Sequence, residues 1–453
     1  MRKILLIIVL AGNVLTGLYG QESEKTVDYY VENYQFQKAL DEISKYPDSK
    51  ELNLKRVICY KALNRYSEAI HVLSRLETDY PDDKHIKIEL ARCYQALSDW
   101  DKSLLYYNIL VEKDSVNIYY RIQRADLLMK QERFVDALSE YNHLINNYGV
   151  DNMLSRSALC YERLNNQDSA KVYYAKAWGR DSSDVFSVSS LINLNIKTGK
   201  QTFKDAIQLS ELYVKRDSTN KQVNVLNALS YYAADAYEEA VTRFSRCYSS
   251  GDSSLVVLRS LGLSYYSLGD RDNSYYFLQK AYKKDSTNIN VLYALGVTAN
   301  EKQNYRLGTE CFETLIERVI PADFTLYQYY RNLAIAYEGQ KKYQQAVDNY
   351  RKAVEYANDN QRMYLYYTIV SIYDVDLKLP QESLEYYGLY KQSLQSYYEG
   401  LFSKEQTKEI QQEINITKTK LDALDKHIAR LKKSLGLADN KKKVIVSTVQ
   451  INL

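Results

Sequence analysis

Small residues recur along this chain at a nearly constant interval: Ala69, Ser103, Ala137, Ala170, Ala206, Ala240, Ser274, Gly308, Ala346 and Ser383, in steps of 34, 34, 33, 36, 34, 34, 34, 38 and 37. A small side chain at one fixed point per interval lets two helices cross closely, so the spacing restricts the chain to a stack of like helical units. A second ladder stands twelve residues earlier, at Val57, Ala91, Ala125, Ala158, Ala228, Gly262, Gly296 and Ala334. Three residues after it come Tyr60, Tyr94, Leu128, Tyr161, Tyr231, Tyr265, Ala299 and Tyr337. About twelve residues behind the first ladder stand Pro81, Ser115, Gly149, Ser182, Ser218, Ser286, Pro321 and Asn358, among them the string Asp-Ser-Thr-Asn at 217–220 and again at 285–288. Proline would end a helix there by fixing φ and removing an N–H. The polar strings would turn the chain and cap the next helix with side-chain oxygens.

Composition agrees with helices. Fifteen glycines and four prolines in 453 residues leave little punctuation for many short strands, and 45% hydrophobic residues suffice for a large core. The expectation is an all-α chain, an α-solenoid of about ten to eleven helix–turn–helix repeats over 21–398. Each unit alone leaves an apolar face bare and stacking buries it.

Leu261-Gly262-x-x-Tyr265, followed by Ser274, Leu278, Ala281 and Ser286, shows the residues together. This pattern resembles the tetratricopeptide repeat, and the resemblance covers roughly 25–398. It departs from the family in having mostly Ser where a Pro ends helix B, and in lacking an early Trp in most units. The resemblance implies a protein-binding surface along the first helix, helix A, of each pair. Some members grip a partner's terminal carboxylate with Asn in that groove. Here the position reads Ile58, Arg92, Asp126, Leu159, Leu229, Leu263, Val297 and Ile335, so no such clamp is expected.

The two ends differ from the middle. Met1-Arg-Lys, an apolar run from Ile4 to Leu18 and Leu18-Tyr19-Gly20 read as a signal peptide over 1–20, with an uncleaved anchor as the alternative. The expected address is exported, periplasmic or envelope-associated, with no integral membrane span after signal removal. Residues 399–436 read as an amphipathic helix with a seam of Ile414, Leu421, Leu424, Ile428, Leu431 and Leu435, spoiled by Thr417. It would cap the last unit or form a short coiled coil, so a monomer is favoured and a dimer is the alternative. Residues 437–453 read as a basic tail, disordered or a short strand.

No constellation carries catalysis. Four histidines at 71, 85, 143 and 427 have no metal spacing, and Thr198-Gly-Lys-Gln-Thr lacks the upstream glycine of a phosphate loop. Cys59, Cys93, Cys160, Cys247 and Cys311 read as small core residues. Neither enzyme, cofactor, metal nor nucleic-acid partner is indicated, since the net charge is only +3. Forty-six tyrosines are either core or a platform for peptide or sugar. Counting from the small residues, the inner groove should present Arg92, Asp126, Lys130, Glu162, Arg163, Tyr232, Arg259, Tyr266, Tyr293, Asn300 and Arg331. The leading reading is a non-enzymatic envelope scaffold for a protein or peptide partner. Glycan or cell-wall polymer binding through groove tyrosines is second, and a hydrolase a distant third.

Overall fold

The computed structural model describes residues 25–318, 323–405 and 407–437. The signal segment, the tail beyond 437 and Pro321 lie outside them. The described residues form 23 α-helices and no strand. Helices alternate as A and B members of pairs: α1 (25–32) with α2 (Phe36–Ile43), α3 (Lys50–Ala62) with α4 (Tyr66–Asp79), α5 (Lys84–Ala96) with α6 (Trp100–Lys113), α7 (Ile118–Lys130) with α8 (Phe134–Tyr148), and α9 (Leu154–Arg163) with α10 (Gln167–Arg180). There follow α11 (Val185–Thr198) with α12 (Phe203–Arg216), α13 (Lys221–Ala233) with α14 (Tyr237–Ser249), α15 (Leu255–Ser267) with α16 (Arg271–Lys284), α17 (Ile289–Glu301) with α18 (Tyr305–Arg318), α19 (Asp323–Gly339) with α20 (Tyr343–Glu355), and α21 (Asp359–Ser371) with α22 (Pro380–Leu401). A last helix, α23 (Lys408–Ser434), follows them.

The chain divides into two compact units between Leu209 and Ser210. In the first, each helix from α2 to α11 packs on the next. In the second, each from α13 to α23 does the same. This is an α-solenoid of helix pairs.

The small-residue ladder explains the pairing. Each member is the fourth residue of its B helix, and Ala69, Ser103, Ala137, Ala170, Ala206, Ala240, Ser274, Ala346 and Ser383 are all 0% exposed. One helical turn further on, a large side chain fills the space that this close approach leaves: Leu73, Tyr107, Tyr141, Tyr174, Phe244, Leu278, Phe312 and Tyr350 are all fully buried. The facing residue on helix A is small for the same reason. A Cβ on Gly262 would lie 2.7 Å from the Leu278 side chain and 3.0 Å from its backbone nitrogen.

The Tyr ladder has a backbone role that spacing alone does not reveal. The carbonyls of Tyr60, Tyr94, Leu128, Tyr161, Tyr231, Tyr265, Ala299 and Tyr337 each accept from the N–H five residues on, at 2.8–3.0 Å. The residue before that donor is left-handed, as in a Schellman turn. Glycine holds this place at Gly269, but Asn64, Ser98, Glu132, Asn165, Asp235, Gln303 and Lys341 hold it elsewhere at φ of 58–60°. Each such turn with a side chain costs about 1 kcal/mol.

The Asp-Ser-Thr-Asn strings divide the labour between their first and last residues. Asp217 Oδ1 accepts from the Thr219 N–H at 2.9 Å and its hydroxyl at 2.6 Å, and Asn220 Oδ1 caps α13 by accepting from the Val223 N–H at 3.1 Å. Asp285 and Asn288 repeat this at the start of α17. Ser218 takes no part in the cap, contrary to its place in the sequence ladder. Asn220→Ala should therefore lower stability by about 1 kcal/mol, whereas Ser218→Ala should be near neutral. Urea denaturation of the two variants checks this, and equal losses would contradict the assignment.

The C-terminal helix begins later than residue 399, the start expected for it. α22 runs to Leu401, the chain breaks, and α23 starts after Thr407, whose hydroxyl accepts from the Ile410 N–H at 3.3 Å. α23 lies antiparallel on α22: Tyr397 reaches Glu413, Lys391 pairs with Asp425, and the Tyr387 ring meets His427 at 4.8 Å. Ile414, Leu421 and Leu424 are buried, as is Thr417 at 2% exposure, while Ile428, Leu431 and Leu435 are half-buried. The seam is thus spent on the last repeat along its first half.

Candidate functional site

In the second unit the A helices also meet across a repeat: α13 touches α15, α15 touches α17, and α17 touches α19. They crowd on one side, and their outward residues form one surface. Down its middle run Leu229, Leu263, Val297 and Ile335, all half-buried against the core at equivalent positions of successive repeats. Tyr232, Tyr266 and Tyr293 flank them, also half-buried. The Tyr293 ring lies 6.4 Å from Tyr266 and 5.9 Å from Tyr329, so an aromatic row joins α15, α17 and α19.

Two cations on this surface make no ion pair among the described residues: Arg259, whose charge is still felt at Asp285, and Arg331, which sits over the exposed Tyr364 ring at 5.6 Å. The carboxylates nearby are already engaged. Glu301 pairs with Arg271 at 2.8 Å, and Glu338 accepts from Tyr350 Oη at 2.8 Å. Tyr266 is tied into the same group, since the Arg271 guanidinium lies 4.7 Å from its ring centroid. Burial, with Tyr293 beside it, pushes the Tyr266 hydroxyl up to about 12.

The other groove candidates belong mostly to the framework of the first unit. Asp126 accepts from Tyr141 Oη at 2.7 Å and pairs with Arg156; Glu162 accepts from Tyr174 Oη at 3.1 Å. Both carboxylates thus satisfy the hydroxyl of a buried tyrosine on the B helix of their own pair. Arg92 is held by Glu89 at 2.9 Å and by Tyr119 Oη at 3.0 Å, and Lys130 lies over the Trp100 ring at 4.5 Å. Arg163 is exposed. Asn300, expected in the groove, is instead 7% exposed and donates to the Asn332 carbonyl at 2.9 Å; its Oδ1 lies against Gly308, where no Cβ intervenes. The sequence signal for the tyrosine anchors was present: a Tyr four residues after a small residue, with an acid twelve to fifteen residues before that Tyr.

The five cysteines are buried free thiols, with Cys59, Cys93 and Cys247 pushed up to about 11 and Cys160 and Cys311 to about 12 by desolvation. Among the described residues no group of His, Cys, Asp and Glu could hold a metal ion, and no helix is long and apolar enough to cross a membrane.

Residues 54–118, which span two of these pairs, match the family model of the tetratricopeptide repeat. That stretch carries tetratricopeptide repeats. The repeat ladders carry the same unit far beyond the matched stretch. No curated protein matches. Among solved structures, this chain is similar to a tetratricopeptide repeat protein from Parabacteroides merdae, at 12% identity over 56% of this chain and 98% of that one, with a TM-score of 0.41. It is also similar to the C-terminal part of a repeat protein from Cytophaga hutchinsonii, at 18% identity over 53% and 97%, with a TM-score of 0.41. A third likeness is to YrrB, described as a tetratricopeptide repeat protein with an unusual peptide-binding site, at 16% identity over 40% and 91%, with a TM-score of 0.36. The family is typically non-enzymatic and its fold that of a protein-interaction scaffold.

Proposed function

We propose that this protein is a non-enzymatic scaffold of the cell envelope that holds a partner protein or peptide against the A-helix surface of its second unit. One observation carries the reading: an apolar stripe of Leu229, Leu263, Val297 and Ile335 is flanked by tyrosines and by two arginines that make no ion pair among the described residues, Arg259 and Arg331. Tyr and Arg bring large contact area and directed hydrogen bonds at modest entropic cost, which is why they dominate binding hot spots. The half-buried setting of Tyr232, Tyr266 and Tyr293 favours a protein over a sugar, because a stacking platform needs free ring faces. The envelope address rests on the charged-then-apolar start of the sequence.

The test replaces Arg259 and Arg331 by Ala together. Neither holds the fold through an ion pair, so the melting temperature should stay at the wild-type value while affinity for the protein captured by wild type from envelope extract falls by about 2 kcal/mol or more. The natively produced protein should begin at Gln21. Undiminished capture by the variant would move the docking face elsewhere, and a soluble product retaining Met1 would remove the envelope from the reading. Tyr266 is unsuited to this test because its ring is part of the packing.

A further inference from the structure

The repeats break their own rule at one place. Four residues after the small residue of the B helix stand Leu73, Tyr107, Tyr141, Tyr174, Phe244, Leu278, Phe312 and Tyr350, but in α12 the residue is Ser210. The residue before the small position of helix A is Leu90, Leu261, Leu295 and Leu333 in four repeats and polar in the others, Arg56, Arg124, Ser157 and, in α13, Asn227. Ser210 and Asn227 meet. Asn227, 4% exposed, donates from Nδ2 to Ser210 Oγ at 3.0 Å and to Glu211 Oε1 at 3.0 Å. A serine where the other repeats place a large side chain sacrifices packing, and the hydrogen bonds only offset the desolvation.

Asn227 also faces open space. A cavity of about 340 Å³ opens between the end of α12, the turn at 218–219, α13 and α14. That volume lies in the range of small-molecule sites. Its charges are unbalanced. Arg243 is already matched by Glu211, at 2.6 Å, with its guanidinium 3.7 Å from the Tyr231 ring centroid. Asp252 is engaged in its own turn, accepting from the Ser254 N–H at 2.9 Å. Lys221 and Arg246 line the same cavity with no acidic partner among the described residues. Two cations outside any ion pair, at the rim of a cavity that Thr219, Asn224 and Asn227 line with polar groups, call for a ligand rich in anionic oxygens.

We propose that this cavity binds a small oxyanion, a carboxylate or a phosphate compound, held by Lys221 and Arg246 beside Asn224 and Asn227. The site is separate from the A-helix surface and does not depend on the scaffold reading. Calorimetric titration of the full chain with citrate and with inorganic phosphate, at constant ionic strength, tests it. Saturable one-to-one binding of at least one probe is expected, the tighter of the two showing whether carboxylate or phosphate is preferred. Lys221→Gln and Arg246→Gln should each weaken it about tenfold, while Lys283→Gln, an exposed cation outside the cavity, should not. Asn224→Leu combined with Asn227→Leu should replace the polar lining with hydrocarbon and abolish binding. If that variant fails to fold, the two charge variants decide the matter. No saturable binding of either probe by wild type, or equal binding by wild type and both charge variants, would overturn the proposal.

Discussion

Raising the pH above 10 should unfold this protein steeply, because its core is built on tyrosines that cannot ionise in place. Tyr107, Tyr141, Tyr174 and Tyr350 are at most 2% exposed. Burial holds each hydroxyl above its ordinary value, and Asp126, Glu162 and Glu338 add repulsion against a phenolate at the last three. Below pH 10 these tyrosines are neutral in both folded and unfolded chains and cost nothing. Above it the unfolded chain releases protons that the folded chain keeps, so stability falls as pH rises. Each tyrosine contributes about 1.4 kcal/mol per pH unit, and the three in the first unit together about 4. A stability of ordinary size would be exhausted within a few pH units. In tyrosinate absorbance the exposed tyrosines should ionise first, near pH 10, and a second rise from the buried ones should coincide with helix loss in circular dichroism at higher pH. Tyr141→Phe should move the alkaline midpoint upward, which loss of lysine charge would not explain. Complete ionisation of all the tyrosines with the helices intact would refute the account.

Gly262→Ala should destabilise the protein by about 2–3 kcal/mol, although alanine is ordinarily the better helix former. The new methyl would meet both the side chain and the backbone nitrogen of Leu278, so no rotamer change relieves it and α15 must move away from α16. Gly179, in α10, has nothing within 4 Å of an added Cβ, and Gly179→Ala should stabilise by up to about 1 kcal/mol. Opposite signs for the same substitution, read by urea denaturation, separate close packing from helix propensity. A neutral Gly262→Ala would mean that the helices do not cross where the ladder places them.

These two experiments also mark what was legible before any coordinates. The ladder at Ala69 to Ser383 was enough for the pairing of helices, because a small residue in a close crossing is required whatever surrounds it. Cap residues were legible to within two positions: the string was read correctly as a turn and cap, but Asn220 rather than Ser218 does the capping. The groove was only partly legible. A count along helix A tells which way Asp126 or Glu162 points, but not that a B-helix tyrosine reaches back to occupy the carboxylate. Asn300 was missed for a related reason, since its burial depends on Gly308 leaving room beside it. Left-handed turns filled by Glu132 or Lys341 gave no signal, because the strongest sequence mark of such a turn is a glycine.

The arrangement in which each helix packs on the next has a consequence for how the chain reaches its native state. The partners of a helix are synthesised immediately before and after it, so only short loops must close before burial begins, and the entropy opposing each closure is small. A nascent chain can settle one pair while the next is still being made, with little apolar surface waiting for a distant partner. The pair at the growing end is the exception at every stage, its outer face bare until the next arrives. When the last repeat is complete, α23 folds back along α22 and covers that face.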